Sequence, residues 1–175
     1  GQTQVCHLWN LMADETRDSK VLERFVGTSQ AVQTLKFPVA GREIKRTGFV
    51  TSNMVLGGRF LEYMAISQPG EQEVYILSTF DKRTKKLRSW YFDSKGLQTS
   101  LSGTWDEGTK TLTRTANFRR GHTGNATFHF RDDDTIEFAF VRKNRDGKVV
   151  TKINRKATRQ RKAVPVVRKK ANRRS

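Results

Sequence analysis

The stretch "YFDSKGLQTSLSGTWDEGTKTLTRTANF", residues 91–118, decides the fold. Apolar and small polar side chains alternate along it, which is the two-residue period of strands with one buried face. Asp-Ser-Lys-Gly at 93–96 and Asp-Glu-Gly-Thr at 106–109 interrupt the alternation with the residues that hairpin turns require. The stretch therefore predicts three antiparallel β-strands joined by two short turns.

The same alternation continues in both directions from this stretch. It begins after Gly27 and predicts strands near 28–37, 43–52, 58–67, 72–80, 86–93, 97–105, 109–118, 124–131, 135–144 and 148–157. Short turns join them, and Asp146-Gly147 is the strongest hairpin signal. Such connections join neighbouring strands, so the sheet is an up-and-down meander. Because a meander of about ten strands exposes two edges unless it closes, we predict an all-β, closed β-barrel.

The two ends of the chain lie outside this pattern. Residues 1–24 predict a short helical or irregular cap, because Leu8, Leu11 and Met12 have helical spacing and Asp18 or Ser19 can cap a helix. Residues 25–158 form the predicted barrel. Residues 159–175 form a basic C-terminal tail with little to bury, which we expect to remain extended.

The tail carries much of the positive charge. The net charge is +17, and residues 155–175 contain ten Lys or Arg and no acid, which leaves +7 for residues 1–154. Such a tail predicts binding of polyanions, nucleic acid included, through counterion release and without base specificity, since it has no aromatic residue to stack. The candidate residues are Arg159, Arg161, Lys162, Arg168, Lys169, Lys170, Arg173 and Arg174.

Cysteine usage and apolar runs bear on the compartment. Cys6 is the only cysteine, so the chain forms no internal disulfide. No apolar run approaches the ~20 residues of a transmembrane helix. The start Gly-Gln-Thr-Gln indicates a removed signal peptide or expression tag. We expect an exported bacterial protein, periplasmic or extracellular, with a cytoplasmic protein as the alternative.

Four motifs resemble a known family. They are "MVLGGRFLE" (54–62), "WYFDSKG" (90–96), "SGTWDEGTKTLT" (102–113) and "DDDTIEF" (132–138). They are similar to bacterial lipocalin-like domains of unknown function, number fifteen seventy-nine in their series, over Phe25 to Thr158. The resemblance implies a calycin-like β-barrel, frequently exported, with no established chemistry. The chain departs from it in "FVGTSQ" (25–30), where a lipocalin-like opening has Trp after Gly-Thr and this chain has Ser29.

Several charged and aromatic residues are candidates for a cavity inside the barrel. Arg88 alternates with Trp90 and Phe92, and Glu62 shares a face with Phe60 and Met64, so both charges fall on faces that read as buried. They predict either an ion pair of Arg88 or Arg59 with Glu62, or a site for a ligand anion. The candidate cavity residues are Arg59, Glu62, Tyr63, Tyr75, Arg88, Trp90 and Phe92; the aromatic members could equally be packing.

Metal and catalytic signals are weak. His7, His122 and His129 are too scattered for a zinc site, so we predict no cofactor, with haem on a single histidine as the alternative. Motifs of hydrolases and metalloproteases are missing. In the predicted strand 97–105, Gly103 is expected to thin the sheet where the large indole of Trp105 lies.

These observations favour a non-enzymatic barrel that binds a small apolar or amphipathic ligand, anionic ones included. The alternative is a polyanion-binding protein that acts through its tail, with the barrel as scaffold. A third hypothesis is an isomerase that uses an Asp or Glu at the rim. A cavity of about 300–1,000 Å³ would favour the first, and an interior filled by side chains would favour the second.

Overall fold

The computed structural model describes residues 20–68, 72–81 and 83–160. Helix α1 is Lys20–Glu23. The strands are β1 Gly27–Phe37, β2 Arg42–Val55, β3 Phe60–Gln68, β4 Gln72–Asp81, β5 Lys86–Asp93, β6 Gln98–Asp106, β7 Thr111–Asn117, β8 Thr123–Phe130, β9 Thr135–Lys143 and β10 Val149–Arg159. Short 3-10 turns lie at Pro38–Ala40 and Arg119–Gly121.

The ten strands form one closed, antiparallel, up-and-down barrel. Each strand pairs with its neighbours in sequence, and β1 pairs with both β2 and β10, from Ser29 opposite Arg159 to Lys36 opposite Lys152. The predicted all-β meander and its closure are confirmed. The largest difference in strand limits is at the end of β2, predicted at residue 52 and found at Val55.

One end of the barrel, where β1 begins, is plugged by apolar side chains and is called the closed end. Leu22 of α1 is 1 % exposed. The ring of Phe25 meets those of Phe128 and Phe130 edge-on, with centroids 5.5 and 4.8 Å apart. Helix α1 is thus the described part of the predicted cap, whereas residues 1–19 lie outside the described residues. No helix in the described ranges has the length and apolar character needed to cross a membrane.

The opposite end is called the mouth, and glycine-bearing turns surround it. Gly41, Gly96, Gly121 and Gly147 all have positive φ, between 61° and 80°. Glycine adopts this conformation without the steric cost that a Cβ brings, so these turns suit the chain reversals that connect neighbouring strands. The turn signals read from the sequence, Asp146-Gly147 among them, are therefore found where the strands reverse.

Gly103 in β6 allows a close approach, but not the one expected. A Cβ at this position would lie 2.6 Å from the Thr113 carbonyl oxygen and 2.9 Å from Cγ of Arg114. The glycine therefore makes room for the arginine on the neighbouring strand β7, and the expectation that it accommodates Trp105 is wrong. Arg114 enters the interior of the barrel at this point.

Leu112 provides a test of the core. Its side chain is 0 % exposed. We expect Leu112→Ala to lower the free energy of unfolding by about 2–5 kcal/mol, because it removes buried methyl groups and leaves a cavity. The control is Val39→Ala at the mouth, where the side chain is 60 % exposed and the change should stay within about 0.5 kcal/mol. Equal effects of the two substitutions in urea unfolding would contradict this core.

Candidate ligand-binding site

The predicted cluster on β5 lies on the outside of the barrel. Leu87 and Ser89 are buried inside, at 0 % and 2 % exposure, so the alternating residues Arg88, Trp90 and Phe92 point outward. Trp90 is 38 % and Phe92 42 % exposed. The prediction that these three face the cavity is wrong. The alternation of β5 is ambiguous because its outer face is as aromatic as its inner one.

Glu62 and Tyr75 also lie on the outer face. The Tyr75 hydroxyl donates to Glu62 Oε1 at 3.2 Å, and Tyr75 is opposite Phe92 in the sheet register. Burial, followed by the nearby Glu62 carboxylate, raises the pKa of Tyr75. Glu62 is therefore held by a tyrosine, and the predicted ion pair of Glu62 with Arg88 is not formed.

Arg88 has a different partner. Its Nη2 lies 2.9 Å from Asp81 Oδ2, with side chains 53 % and 19 % exposed. The Thr84 backbone amide, which donates to Asp81 Oδ1 at 3.2 Å, and to a smaller extent the charge of Arg88 lower the pKa of Asp81. This is a surface ion pair at the closed end, and it holds no ligand group.

Two of the predicted residues remain. Arg59 is half-buried in the turn before β3, where its carbonyl oxygen accepts a hydrogen bond from Thr79 Oγ1 at 3.0 Å. Tyr63 is 7 % exposed and belongs to an interior apolar cluster. Its hydroxyl has no hydrogen-bond partner among the described residues. Of the seven predicted cavity residues, Tyr63 is the one buried inside the barrel.

Arg114 is an interior cation that the sequence analysis missed. It is 5 % exposed, and burial lowers the pKa of its guanidinium to about 10. Its guanidinium carbon lies 5.1 Å from the Phe128 ring centroid, and Nη2 donates to Ser78 Oγ at 3.5 Å. Within the described ranges it forms no ion pair with a carboxylate, and its Nε has no partner. The signal was present in "TLTRTAN", where exposed threonines alternate with Leu112, Arg114 and Ala116.

Arg155 is a second missed interior cation. Its guanidinium carbon lies 4.5 Å from the Phe138 ring centroid and 5.8 Å from that of Tyr63. Such contacts over aromatic faces stabilise a cation that has lost water. Its Nε is buried without a hydrogen-bond partner in the described part of the chain. Arg155 follows Ile153 and precedes Ala157 on the inward face of β10.

Asp93 is the acid that faces the interior near the mouth, and its oxygens are occupied. Oδ1 accepts hydrogen bonds from the backbone amides of Lys95 and Leu97, both at 3.0 Å. Oδ2 accepts hydrogen bonds from the Tyr91 hydroxyl at 3.2 Å and from Gln72 Nε2 at 3.4 Å. Gln72 Oε1 in turn accepts Arg46 Nη1 at 2.9 Å. Asp93 is thus linked through Gln72 to Arg46, a cation near the mouth. It forms no ion pair with Arg114 or Arg155.

A cavity of about 20 Å³ lies against Arg155 and Tyr63. It is lined by Phe25, Ser29, Val50, Ser52, Tyr63, Phe128, Ile136, Arg155 and Ala157. Three polar atoms of this lining have no partner in the described structure: Ser52 Oγ, Tyr63 Oη and Arg155 Nε. The volume suits about one water molecule. It is far below that of a preformed ligand pocket, because arginine and aromatic side chains occupy this part of the interior. An interior filled in this way favours the polyanion-binding alternative over a barrel with a preformed pocket.

The small side chain of Ser29 accounts for the position of the cavity. It lines the cavity at the position where the lipocalin-like resemblance implies a tryptophan. An indole at this point on β1 would point inward beside Val50 and Ala157. The small serine side chain leaves that space open.

The other candidates fall at the edge of the barrel or outside the described residues. Arg159 is the last residue of β10, and its Nη2 donates to the Arg24 carbonyl oxygen at 2.9 Å. Arg161, Lys162, Arg168, Lys169, Lys170, Arg173 and Arg174 lie outside the described residues, as does His7. His129 Nδ1 is 3.2 Å from Thr111 Oγ1, and His122 Nδ1 is buried near the mouth. The described residues hold no group of three or more side chains suited to a metal ion.

Comparison with known proteins identifies related sequences and folds. The sequence profile of the family described as "Protein of unknown function (DUF1579)" matches residues 15–159. No curated protein matches the chain. The matched range ends at the last residue of β10, so it includes the whole barrel.

Two solved structures share the fold at low sequence identity. Rv2717c from M. tuberculosis is 12 % identical, with a TM-score of 0.66 over 83 % of this chain and 98 % of that one. The S-type phycobiliprotein lyase CPES from Guillardia theta is 12 % identical, with a TM-score of 0.59 over 82 % of this chain and 92 % of that one. Both likenesses extend over nearly the entire barrel.

The charge on Arg114 should be unfavourable for folding of the ligand-free chain. We expect Arg114→Met to raise the free energy of unfolding at pH 7 by about 1–4 kcal/mol, as when buried ionic groups are replaced by apolar ones of similar volume. Because folding lowers the pKa of Arg114 to about 10, the gain should shrink as the pH rises above that value. Arg88→Met, on the outer face, is the control and should change stability little. Urea unfolding measures both, and a destabilised Arg114→Met protein would contradict the assignment.

Proposed function

The chain belongs to the DUF1579 family of proteins of unknown function, and we propose that it binds a small amphipathic molecule inside its barrel. The barrel is closed at one end by Leu22 and Phe25. Such a shape fits small-molecule binding, because barrels of this size enclose either side chains or one small ligand.

The observation that carries the proposal is the set of buried polar atoms without partners around the cavity. Native interiors pair nearly all of their buried polar groups, since an unpaired one costs about 1–3 kcal/mol. Ser52 Oγ, Tyr63 Oη and Arg155 Nε have no hydrogen-bond partner in the described part of the chain, and their residues line one cavity. A bound molecule that supplies the missing hydrogen bonds would remove these costs.

The size of the cavity limits how the ligand is bound. About 20 Å³ accommodates a group of only a few atoms. The rest of the molecule would occupy space now taken by long side chains toward the mouth, such as Arg142, whose guanidinium lies 5.7 Å from the Phe118 ring centroid. Binding would therefore move side chains while the closed sheet keeps its register.

Non-enzymatic binding is the simplest function for this interior. The described strands bring no nucleophile, base and orienting acid together, and the interior acid Asp93 already receives four hydrogen bonds. One similar fold is a phycobiliprotein lyase, which leaves an enzymatic use of such a barrel open.

Filling the cavity tests the proposal. We expect native mass spectrometry of freshly purified protein to show a bound small molecule, and the neutral fluorescent probe N-phenyl-1-naphthylamine to bind in its place. Ser29→Trp places an indole in the cavity and should weaken probe binding by about ten-fold or more, a loss of about 1.4 kcal/mol. The matched control is Thr28→Trp, the adjacent residue on the outward face of β1, which should bind as the original protein does.

Equal binding by the two tryptophan variants would mean that the probe binds elsewhere. Absence of both a co-purified molecule and saturable probe binding would contradict a ligand-binding function. Near-ultraviolet circular dichroism of the two variants confirms that each retains the packed barrel.

The charge distribution supports polyanion binding as a second candidate function. The tail, residues 159–175, holds eight Lys or Arg residues and no acid. Arg159, the last residue of β10, is anchored at the closed end by its hydrogen bond to the Arg24 carbonyl oxygen. Polyanion binding by the basic residues beyond it and ligand binding inside the barrel would use different residues of the chain.

Neutralising five charges tests this second function. We expect the variant with Gln at Arg168, Lys169, Lys170, Arg173 and Arg174 to bind heparin or duplex DNA much more weakly at low salt. The slope of the logarithm of affinity against the logarithm of salt concentration should also be smaller, because fewer counterions are released. Thermal unfolding should be unchanged. An unaltered salt slope would place polyanion binding on the barrel surface instead.

A further inference from the structure

We propose that the cavity beside Arg155 is a subsite for a carboxylate or similar oxyanion at the inner end of the ligand. The donors are Arg155 Nε–H, the Tyr63 hydroxyl and the Ser52 hydroxyl. The inference rests on the proposed function and adds the chemical class and orientation of the bound molecule: an amphipathic acid whose acidic end enters first.

The environment of Arg155 restricts how a ligand can approach it. Aromatic rings lie against the guanidinium, with centroids 4.5 Å away for Phe138 and 5.8 Å away for Tyr63. These contacts are made over the ring faces, so the hydrogen-bonding edge of the guanidinium remains for a ligand. That edge presents parallel N–H donors, which match the two oxygens of a carboxylate.

The other unpartnered groups around the cavity can also donate. The hydroxyl groups of Tyr63 and Ser52 are hydrogen-bond donors as well as acceptors. Both are buried, at 7 % and 1 % residue exposure, and neither has a partner among the described residues. An oxyanion accepts hydrogen bonds from all three groups at once. A ligand cation would meet Arg155 and be repelled by it.

The local charge balance requires an anion. Arg114 contacts Phe128, which is part of the cavity lining, and its charge also acts on Tyr63. Arg114 and Arg155 form no ion pair with any carboxylate in the described ranges. The inward-facing acid Asp93 is linked to Arg46 through Gln72. Buried charges are normally paired, and no carboxylate among the described residues pairs with these two guanidinium groups. We therefore assign that role to the acidic group of the ligand.

The apolar part of the ligand follows from the remaining walls. Phe25, Val50, Phe128, Ile136 and Ala157 are apolar and surround the three donors. They suit the apolar carbon that carries the acidic group, and the rest of an apolar body would extend toward the mouth when the long side chains there move. A free inorganic anion would leave this apolar surface without a partner.

The test compares ligands that share one chain and differ in their end group. Decanoate, decanol and decyltrimethylammonium each compete with N-phenyl-1-naphthylamine for the full-length protein, and acetate provides the acidic group without the chain. We expect decanoate to bind about 10- to 100-fold more tightly than decanol, the range for a hydrogen bond to a charged group. Decyltrimethylammonium and acetate should compete weakly.

Substitution of the donors gives the second half of the test. Arg155→Met keeps an apolar side chain and removes the charge. The affinity for decanoate should therefore fall to that for decanol, whereas the affinity for decanol should be unchanged. Tyr63→Phe keeps the ring against Arg155 and removes only the hydroxyl, and decanoate should weaken about three- to ten-fold. Arg88→Met on the outer face is the control and should preserve the full preference for the acid.

The outcomes separate this inference from the proposed function. Equal binding of decanoate and decanol by the original protein would overturn the oxyanion subsite and leave the ligand-binding function intact. Failure of every probe to bind would overturn the function itself. Acetate as tight as decanoate would show that the chain contributes nothing and would overturn the amphipathic acid. If Arg155→Met does not fold, Tyr63→Phe decides: an unchanged preference for the acid overturns the subsite.

Discussion

Backbone pairing between the first and last strands is the interaction on which the rest of this structure depends. Opposite residues run from Ser29 and Arg159 to Lys36 and Lys152, and they join the two edges that a meander otherwise exposes. Closure satisfies both rows of backbone donors and acceptors. It also gives the protein an inside, because every second side chain of every strand now points toward one axis. The cavity at Ser29 lies directly beside this seam.

Closure of the barrel removes water from its interior, so a charge placed there costs free energy. The aromatic rings and hydroxyl groups that closure brings around the charge offset part of that cost. Arg114 is buried and Arg155 is half-buried, and aromatic faces, with Ser78 for Arg114, replace only part of the water that each has lost. A chain selected for stability alone would place apolar side chains at both positions. Interior guanidinium groups without a carboxylate partner among the described residues therefore do not favour folding, and under the proposed function their cost is recovered when an anion is bound.

The outer face of β2 to β5 shows why the inner face was hard to identify. Phe49, Met64, Ile66, Trp90 and Phe92 are all between 38 % and 55 % exposed. In the sheet register Phe49 is opposite Ile66, and Met64 is opposite Tyr75, which is opposite Phe92. This outer surface is as apolar as many interiors, so hydrophobicity alone assigns these strands to the wrong face. On β7 to β9 the outer face is rich in threonine and charged residues, so the large apolar residues Leu112, Phe128 and Phe138 mark the inward face there.

The sequence by itself determined the number of strands, their limits within a few residues, the turns and the closure, because these follow from local alternation, turn residues and the cost of an open edge. It also contained the signal for Arg114, whose position between Leu112 and Ala116 fixes its side. The tertiary structure alone decided that Glu62, Tyr75, Arg88, Trp90 and Phe92 lie outside. It alone placed Tyr63, Ser52 and Arg155 around one cavity, since these residues come from three strands, β3, β2 and β10. Alternation gives the side of each residue only relative to its own strand; which side is the interior depends on how all ten strands close.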